Sequence, residues 1–331
     1  MGASVSELRF DGWIPFRAYW QGSEPGLEWC YLGANRFSHP FFETTLHLEV
    51  QKPFNALFRF RTPVAMLREW HAASPGLRPA GFIFHLSRCG STLITRLLGS
   101  LPENLVLSEP GVLDAMIRAH ERAPGASAEE RVAWLQWLVS ALGQKRTGEE
   151  RRLFIKFEPR NTLDFPLIRL AFPYVPWVFV YRDPVEVMTS NLRKPSALVT
   201  RGMAGAGFLG LDAAAIAAMD NEEYVARVLA AVAEAGARHA AGAQGLLLHY
   251  PQLPEAVWGI LQRHFGLSFT AEEVEQLQQA AVFNAKRPEE RFVSDSLLKQ
   301  QEATARIRAL ADQWVKPHYA RLEELRRAQS E

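Results

Sequence analysis

A chain of 331 residues that is 48% apolar and 22% charged can bury a sizeable core, and its composition excludes a collagenous or wholly disordered protein. A net charge of +1 excludes a global pull toward nucleic acid or anionic membrane, so any anion site has to be built locally. Two cysteines, Cys30 and Cys89, are too few for a disulfide framework or a cysteine metal cluster, which predicts a reducing, cytoplasmic setting.

No apolar run approaches membrane-span length, and the N-terminus lacks the basic-then-apolar layout of a secretory signal. Met1-Gly2-Ala3-Ser4-Val5-Ser6 fits the loose myristoylation pattern. Residues 1–80 are rich in aromatics and turn formers, which read as core, with the option of covering a substrate cleft. The alternation in Thr44-Thr45-Leu46-His47-Leu48-Glu49-Val50 predicts a half-buried strand, 54–60 a second strand, and 64–71 a short helix after Pro63. Residues 74–79 form a linker or tight loop.

From residue 81 onward, strand-length apolar runs alternate with helical stretches. The strands fall at 82–86, 105–107, 153–157, 177–181 and 246–249; helices fall at 91–100, 112–120, 128–142, 163–171 and 184–191. The runs are continuous rather than alternating, as strands covered on both faces require. This pattern predicts an α/β fold, three layers with a doubly wound, mainly parallel sheet, whose ligands bind beyond the carboxyl ends of the strands. Further on, the glycine-rich stretch 201–210 reads as a mobile loop, open between a lid and a plain surface turn. Residues 219–241, 254–265 and 271–281 read as helices, and 297–327 as charged helix with no evident site.

The chemistry begins at Phe82–Leu98, a run of apolar strand, polar turn and apolar-periodic helix. The turn Leu86-Ser87-Arg88-Cys89-Gly90-Ser91-Thr92 aims helix N–H groups at one point, where a phosphate can sit. Arg88 adds a full charge, and Ser91 and Thr92 add hydroxyl donors. Alone, the same residues also fit a simple N-cap. The other strand ends deliver charge as well: Glu109 after the second strand, Lys156 and Glu158 after the third, and Arg182 after the fourth. Arg182 precedes a helix start at Pro184, with Ser190 eight residues on, so a guanidinium and a hydroxyl could share one anion.

Together these residues resemble the PAPS-dependent sulfotransferase family, and within it the P-loop-like type with a glutamate base, as in tyrosylprotein and bacterial sulfotransferases. The resemblance rests on the loop at 86–93, on Val180-Tyr181-Arg182-Asp183-Pro184 with Ser190, and on Lys156 closing the third strand. His249-Tyr250-Pro251-Gln252-Leu253 and Phe265-Gly266-Leu267 look like landmarks common after the family's last strand. It covers about residues 81–290, and implies an α/β domain over 81–331 preceded by a small α+β extension over 1–80. A P-loop kinase fits less well, because Ser91 stands where the Walker lysine belongs and the leading glycine is missing.

The resemblance implies transfer of a sulfuryl group from PAPS to an acceptor hydroxyl or amine by in-line attack, without a metal. Arg88, Cys89, Gly90, Ser91 and Thr92 would hold the 5′-phosphate side, Arg182 and Ser190 the 3′-phosphate, and Arg88 with Lys156 would stabilise charge on the bridging oxygen. The general base is Glu109, 21 residues past Arg88, or Glu158; a role for His85 is the least favoured. A non-catalytic nucleotide binder of the same fold is the second function class. Leu93 replaces the aromatic that often stacks on adenine, and the glycine-rich Arg-Lys-Gly element is missing unless Lys286-Arg287 substitutes for it. Cys89 beside a cation at a helix start predicts a reactive thiol that nucleotide would shield. Carbohydrate, lipid, peptide and small-molecule acceptors all stay open, with no nucleic-acid partner and no membrane span.

Overall fold

The computed structural model describes residues 10–202, 208–242, 245–287 and 289–329, so Met1–Ser6 of the myristoylation pattern and the centre of 201–210 lie outside them. Chain order begins β1 (Trp13–Gln21), β2 (Glu24–Tyr31), α1 (Phe42–Val50), α2 (Pro53–Leu57), β3 (Phe60–Pro63), α3 (Met66–Ala73) and β4 (Pro79–His85). It continues α4 (Ser91–Ser100), β5 (Asn104–Ser108), α5 (Gly111–Ile117), α6 (Ala128–Leu142), β6 (Arg152–Lys156), α7 (Phe165–Ala171), β7 (Trp177–Tyr181) and α8 (Pro184–Arg193). Then follow α9 (Ala213–Ala218), α10 (Asn221–Ala240), β8 (Gly245–His249), α11 (Ile260–His264), α12 (Ala271–Ala281), α13 (Ser296–Glu302), α14 (Ala305–Leu310) and α15 (Lys316–Ala328).

The five-stranded sheet has the order β5-β6-β4-β7-β8, with helices flanking a parallel ladder. β5 and β7 are buried at every position, which is why 105–107 and 177–181 are unbroken apolar runs. All five strands and helices α4, α6 and α12 lie where the periodicity predicts them, within a few residues. Among the described residues, no helix is long and apolar enough to cross a membrane.

By packing, the chain divides into two compact units. The first comprises Met1–Phe82, Thr95–Phe157 and Asp164–Val175; the second comprises Ile83–Ile94, Glu158–Leu163 and Pro176–Glu331. Within the first, β1, β2 and β3 form an antiparallel sheet over an aromatic core. Phe10 stacks on Trp29 at 4.8 Å and Trp29 donates its indole N–H to Thr62 Oγ1 at 2.9 Å. The β1–β2 hairpin turns through Gly22-Ser23, with Gly22 at φ +62°. Pro15 hides this strand from the sequence, because proline interrupts a strand run; the ladder absorbs it with a bulge between Pro15 and Arg17.

Three expectations are corrected. The stretch 44–50 is not a strand but lies in α1, because Phe42, Thr45, Leu46 and Glu49 are buried at i, i+3, i+4 and i+7. The Leu46/Leu48/Val50 alternation is incidental to that stripe, and Leu48 is exposed. Residues 54–60 are likewise helical at first, since Pro53 opens α2 at a first-turn position, and strand β3 starts only at Phe60. The predicted helix over 254–265 shrinks to α11, with Pro251, Pro254 and Gly259 holding the preceding chain in turns.

Candidate active site

In the second unit the turn after β4 is built from backbone that side chains normally avoid. Ser87, Arg88 and Gly90 have φ of +70°, +51° and +90°, the first two costing about 1–3 kcal/mol each. The surroundings hold them there. Leu86 N–H reaches the Val180 carbonyl at 2.9 Å, and Ser87 N–H reaches His85 Nδ1 at 3.1 Å. Ser87 Oγ donates to Asn191 Oδ1 at 3.3 Å. His85 therefore has a buried positioning role in this turn. Cys89 is fully buried and donates its thiol to the Val180 carbonyl at 3.1 Å. The side chain expected to be reactive instead pins the turn to β7, leaving its main chain for any ligand.

Gly90 is required twice over. Its φ suits only glycine, and a Cβ there would lie 2.8 Å from the Tyr250 ring and 2.9 Å from Leu253 Cδ1. The Tyr250-x-x-Leu253 landmark thus has a physical reason: both side chains press on the loop glycine. Ser91 and Thr92 follow as buried residues in the first turn of the ten-residue α4.

The two predicted anion elements meet directly. Arg88 Nε donates to Ser190 Oγ at 3.0 Å. Burial, opposed by Asp295 and reinforced by the nearby Arg182 and Arg193 cations, pushes the Arg88 guanidinium below the usual arginine range. Arg88 thus sits where two other guanidiniums act on it, an imbalance that an anion would relieve.

Arg182 is 4% exposed and already well partnered. It pairs with Glu186 one helical turn away and with Asp295 at 3.1 Å, donates to Ser296 Oγ at 2.9 Å, and lies 3.9 Å from the Tyr250 ring centroid. Ser296 Oγ donates in turn to Glu186 at 3.0 Å, and Lys299 is paired with Asp295 at 2.8 Å. α13 therefore packs its first turn onto the predicted phosphate arginine.

In the first unit, β5 and β6 pair in parallel register, Ser108 opposite Lys156. Glu109, the next residue, has φ +56° and donates its N–H to the Lys156 carbonyl at 2.7 Å. This left-handed step turns the carboxylate onto Lys156 Nζ, 2.8 Å from Oε1. The lysine is fully buried, and its ammonium also lies 5.0 Å from the Phe41 ring centroid. Glu158, the alternative base, belongs to the second unit, where its carbonyl accepts from Asn161 N–H at 3.0 Å.

The structure brings Arg88 to Ser190 and Glu109 to Lys156. Lys286 and Arg287 lie on an exposed turn, both N–H groups bonded to Asn284 Oδ1 and Arg287 paired with Glu290. Sequence reasoning missed Glu186, Tyr250, Asp295, Ser296 and Phe41 as site neighbours. The i, i+4 spacing of Arg182 and Glu186 was a readable ion-pair signal; no local signal marks Asp295, which reaches Arg182 through tertiary packing.

No protein-family model matches the chain, and no curated protein matches it. Several solved structures are similar to it in fold, sulfotransferases among them. A sulfotransferase from Mycobacterium avium is 13% identical at a TM-score of 0.44, covering 71% of this chain and 79% of its own. One from Alicyclobacillus acidocaldarius is 16% identical at 0.43, covering 76% and 96%. The sulfotransferase domain of the Synechococcus PCC 7002 olefin synthase is 18% identical at 0.40, covering 78% and 96%.

Proposed function

We propose that this chain is a sulfotransferase that uses PAPS as donor and a hydroxyl or amine as acceptor. The observation that carries the reading is the Arg88–Ser190 hydrogen bond, which joins the turn after β4 to the helix after β7 beside Arg182. Two anion elements more than ninety residues apart in sequence converge on one place, as recognition of a ligand with two separated phosphates requires. The residues fit such a group: a glycine cradle closed by Tyr250, hydroxyls at the start of α4, and clustered guanidiniums.

When bound, PAPS supplies an activated sulfuryl group. Gly90, Ser91 and Thr92 would hold its 5′-phosphate side with backbone and hydroxyl donors. Arg88 would place a cation on the developing charge, the preorganised electrostatic contribution that dominates such transfers. Arg182 and Ser190 would hold the 3′-phosphate. Glu109 would take the acceptor's proton, and Lys156, paired to it at 2.8 Å, would fix its carboxylate in one orientation. Arg182 needs an exchange of partners to do this, since Asp295 and Glu186 now occupy it.

Incubation of the full chain with PAPS carrying labelled sulfate and a panel of hydroxyl and amine acceptors tests the reading. Label transfer that requires Glu109 supports it. Absence of transfer to every acceptor, together with no binding of adenosine 3′,5′-bisphosphate, overturns it.

A further inference from the structure

A second concave site lies within the first unit. It is a cavity of about 240 Å³ between α1, β1 and the start of α5, with Glu43, Leu46 and Val50 on one wall and Val112 on another. Glu43, Leu46, His47 and Val50 stand at i, i+3, i+4 and i+7, so one face of α1 supplies that wall. At 1.5 Å rise per residue this face runs about 10 Å. Both helices start at the Glu109–Lys156 pair. Phe41, the residue before α1, covers the Lys156 ammonium, and Gly111, two residues past Glu109, opens α5.

The polar groups of the cavity are unequally satisfied. Arg17 is paired with Glu28 at 3.3 Å and lies over the Phe16 ring. His47 is bonded to Gln51 at 2.8 Å. Glu43 accepts one hydrogen bond, from Gly111 N–H at 3.0 Å, and has no ion-pair partner among the described residues. Gly111 is needed for that contact, because a Cβ there would lie 2.7 Å from Glu43 Oε1. Partial burial raises the Glu43 pKa, with the Gly111 N–H and the Arg17 charge opposing it. The rest of the Glu43 carboxylate is open to solvent, so a ligand that brings a donor exchanges water for its own hydrogen bond there.

We propose that this cavity is the acceptor subsite, and that Glu43 selects acceptors with an aliphatic body and a second hydrogen-bond donor, a hydroxyl or an ammonium. The inference rests on the sulfotransferase reading above. The acceptor's reacting group would lie toward Glu109, its body along the half-buried Phe16, Val50 and Ala115, and its second donor on the remaining lone pairs of Glu43. Glu43 is a specificity-determining residue and takes no part in proton transfer.

Direct binding separates this inference from the reading it rests on. The full chain is titrated by NMR with pentane-1,5-diol, 5-aminopentan-1-ol and hexan-1-ol, three chains of similar length. The two bifunctional probes are expected to bind about threefold tighter than hexan-1-ol, the worth of one solvent-screened contact to a carboxylate. Glu43→Met should erase both preferences, whereas Glu43→Gln should keep the diol preference and lose the ammonium preference. Adenosine 3′,5′-bisphosphate affinity should be the same in all three proteins. Equal binding of the three probes by the unmodified chain, or a preference that survives Glu43→Met, overturns the subsite. Glu43-dependent binding in a chain that neither transfers label nor binds adenosine 3′,5′-bisphosphate retires the sulfotransferase reading and keeps the ligand site.

Discussion

Lys156 Nζ lies 2.8 Å from Glu109 Oε1, with the lysine fully buried and the glutamate side chain 16% exposed. A buried ammonium has to be neutralised by a fixed partner, and the left-handed Glu109 backbone supplies one at the mouth of β5 and β6. Removing one partner leaves an uncompensated charge. Lys156→Met is expected to destabilise the chain by about 3–5 kcal/mol in urea unfolding. The double variant Glu109→Gln/Lys156→Met should recover most of that loss, and a double variant as unstable as the single one would refute the pairing argument.

Glu109→Gln keeps an amide oxygen as acceptor for Lys156 while removing the base, so it addresses the chemistry once circular dichroism shows the variant folded at the assay temperature. Loss of a general base lowers turnover by about 10²–10⁴-fold. Turnover of labelled PAPS should fall within that range while bisphosphate affinity, measured in parallel, stays unchanged. Glu158→Gln should leave turnover close to that of the unmodified chain.

Asp295 competes with any anion for Arg182, which it contacts at 3.1 Å. The Asp295 side chain is 46% exposed, so the pair is screened and worth only about 0.5–1 kcal/mol. Asp295→Asn is therefore expected to tighten adenosine 3′,5′-bisphosphate binding about threefold by calorimetry. Weaker binding in the variant would mean that Asp295 organises the site rather than blocking it.

Acid stability should depend on the cluster behind β7 and β8. Tyr181 and Arg326 both hydrogen-bond Glu323, and His249 lies 3.7 Å from it. These partners outweigh the opposing effect of burial and hold Glu323 at a pKa of about 2, below its ordinary 4.5. A depressed carboxylate contributes stability above its unfolded pKa and loses it as pH falls through the folded one. Burial also lowers the His249 pKa, so below its ordinary 6.5 protonation favours the unfolded chain and acts in the same direction. Glu323→Gln should cost about 1–2 kcal/mol at pH 7 after solvent screening, and the gap should close as pH falls from about 4.5 to 2. A gap that persists at pH 2 would contradict this.

Both thiols are fully buried, and burial pushes Cys30 up to about 12, with Glu49 adding to the shift. Neither Cys30 nor Cys89 should react with Ellman's reagent in the native chain, with or without nucleotide, and both should react in denaturant. Rapid native labelling of Cys89 would contradict its packing against Val180.

What the sequence made legible follows from period and position. Strands β5 to β8 and the turn after β4 are local patterns, so continuous apolar runs locate the strands and the change from apolar strand to apolar-periodic helix locates the turn. The N-terminal region was misread where two periods coexist, as in α1, and where Pro15 broke the pattern of β1. The partners of Arg182 were invisible because Asp295 and Ser296 lie 113 and 114 residues away and join it only by packing of α13 on α8. Cys89 was misjudged for a related reason: its sequence neighbours suggest an activated thiol, whereas its side-chain direction is set by β7.

In the proposed function, the turn after β4 and the helix after β7 hold two phosphates of one nucleotide. Calorimetric titration with adenosine 3′,5′-bisphosphate and with adenosine 5′-monophosphate, on the unmodified chain and on Arg182→Met, decides whether they do. Charge-assisted hydrogen bonds to the second phosphate predict that the bisphosphate binds at least about tenfold tighter, and that Arg182→Met removes the difference. Equal affinity for both nucleotides in the unmodified chain, or no binding of either, would contradict the claim.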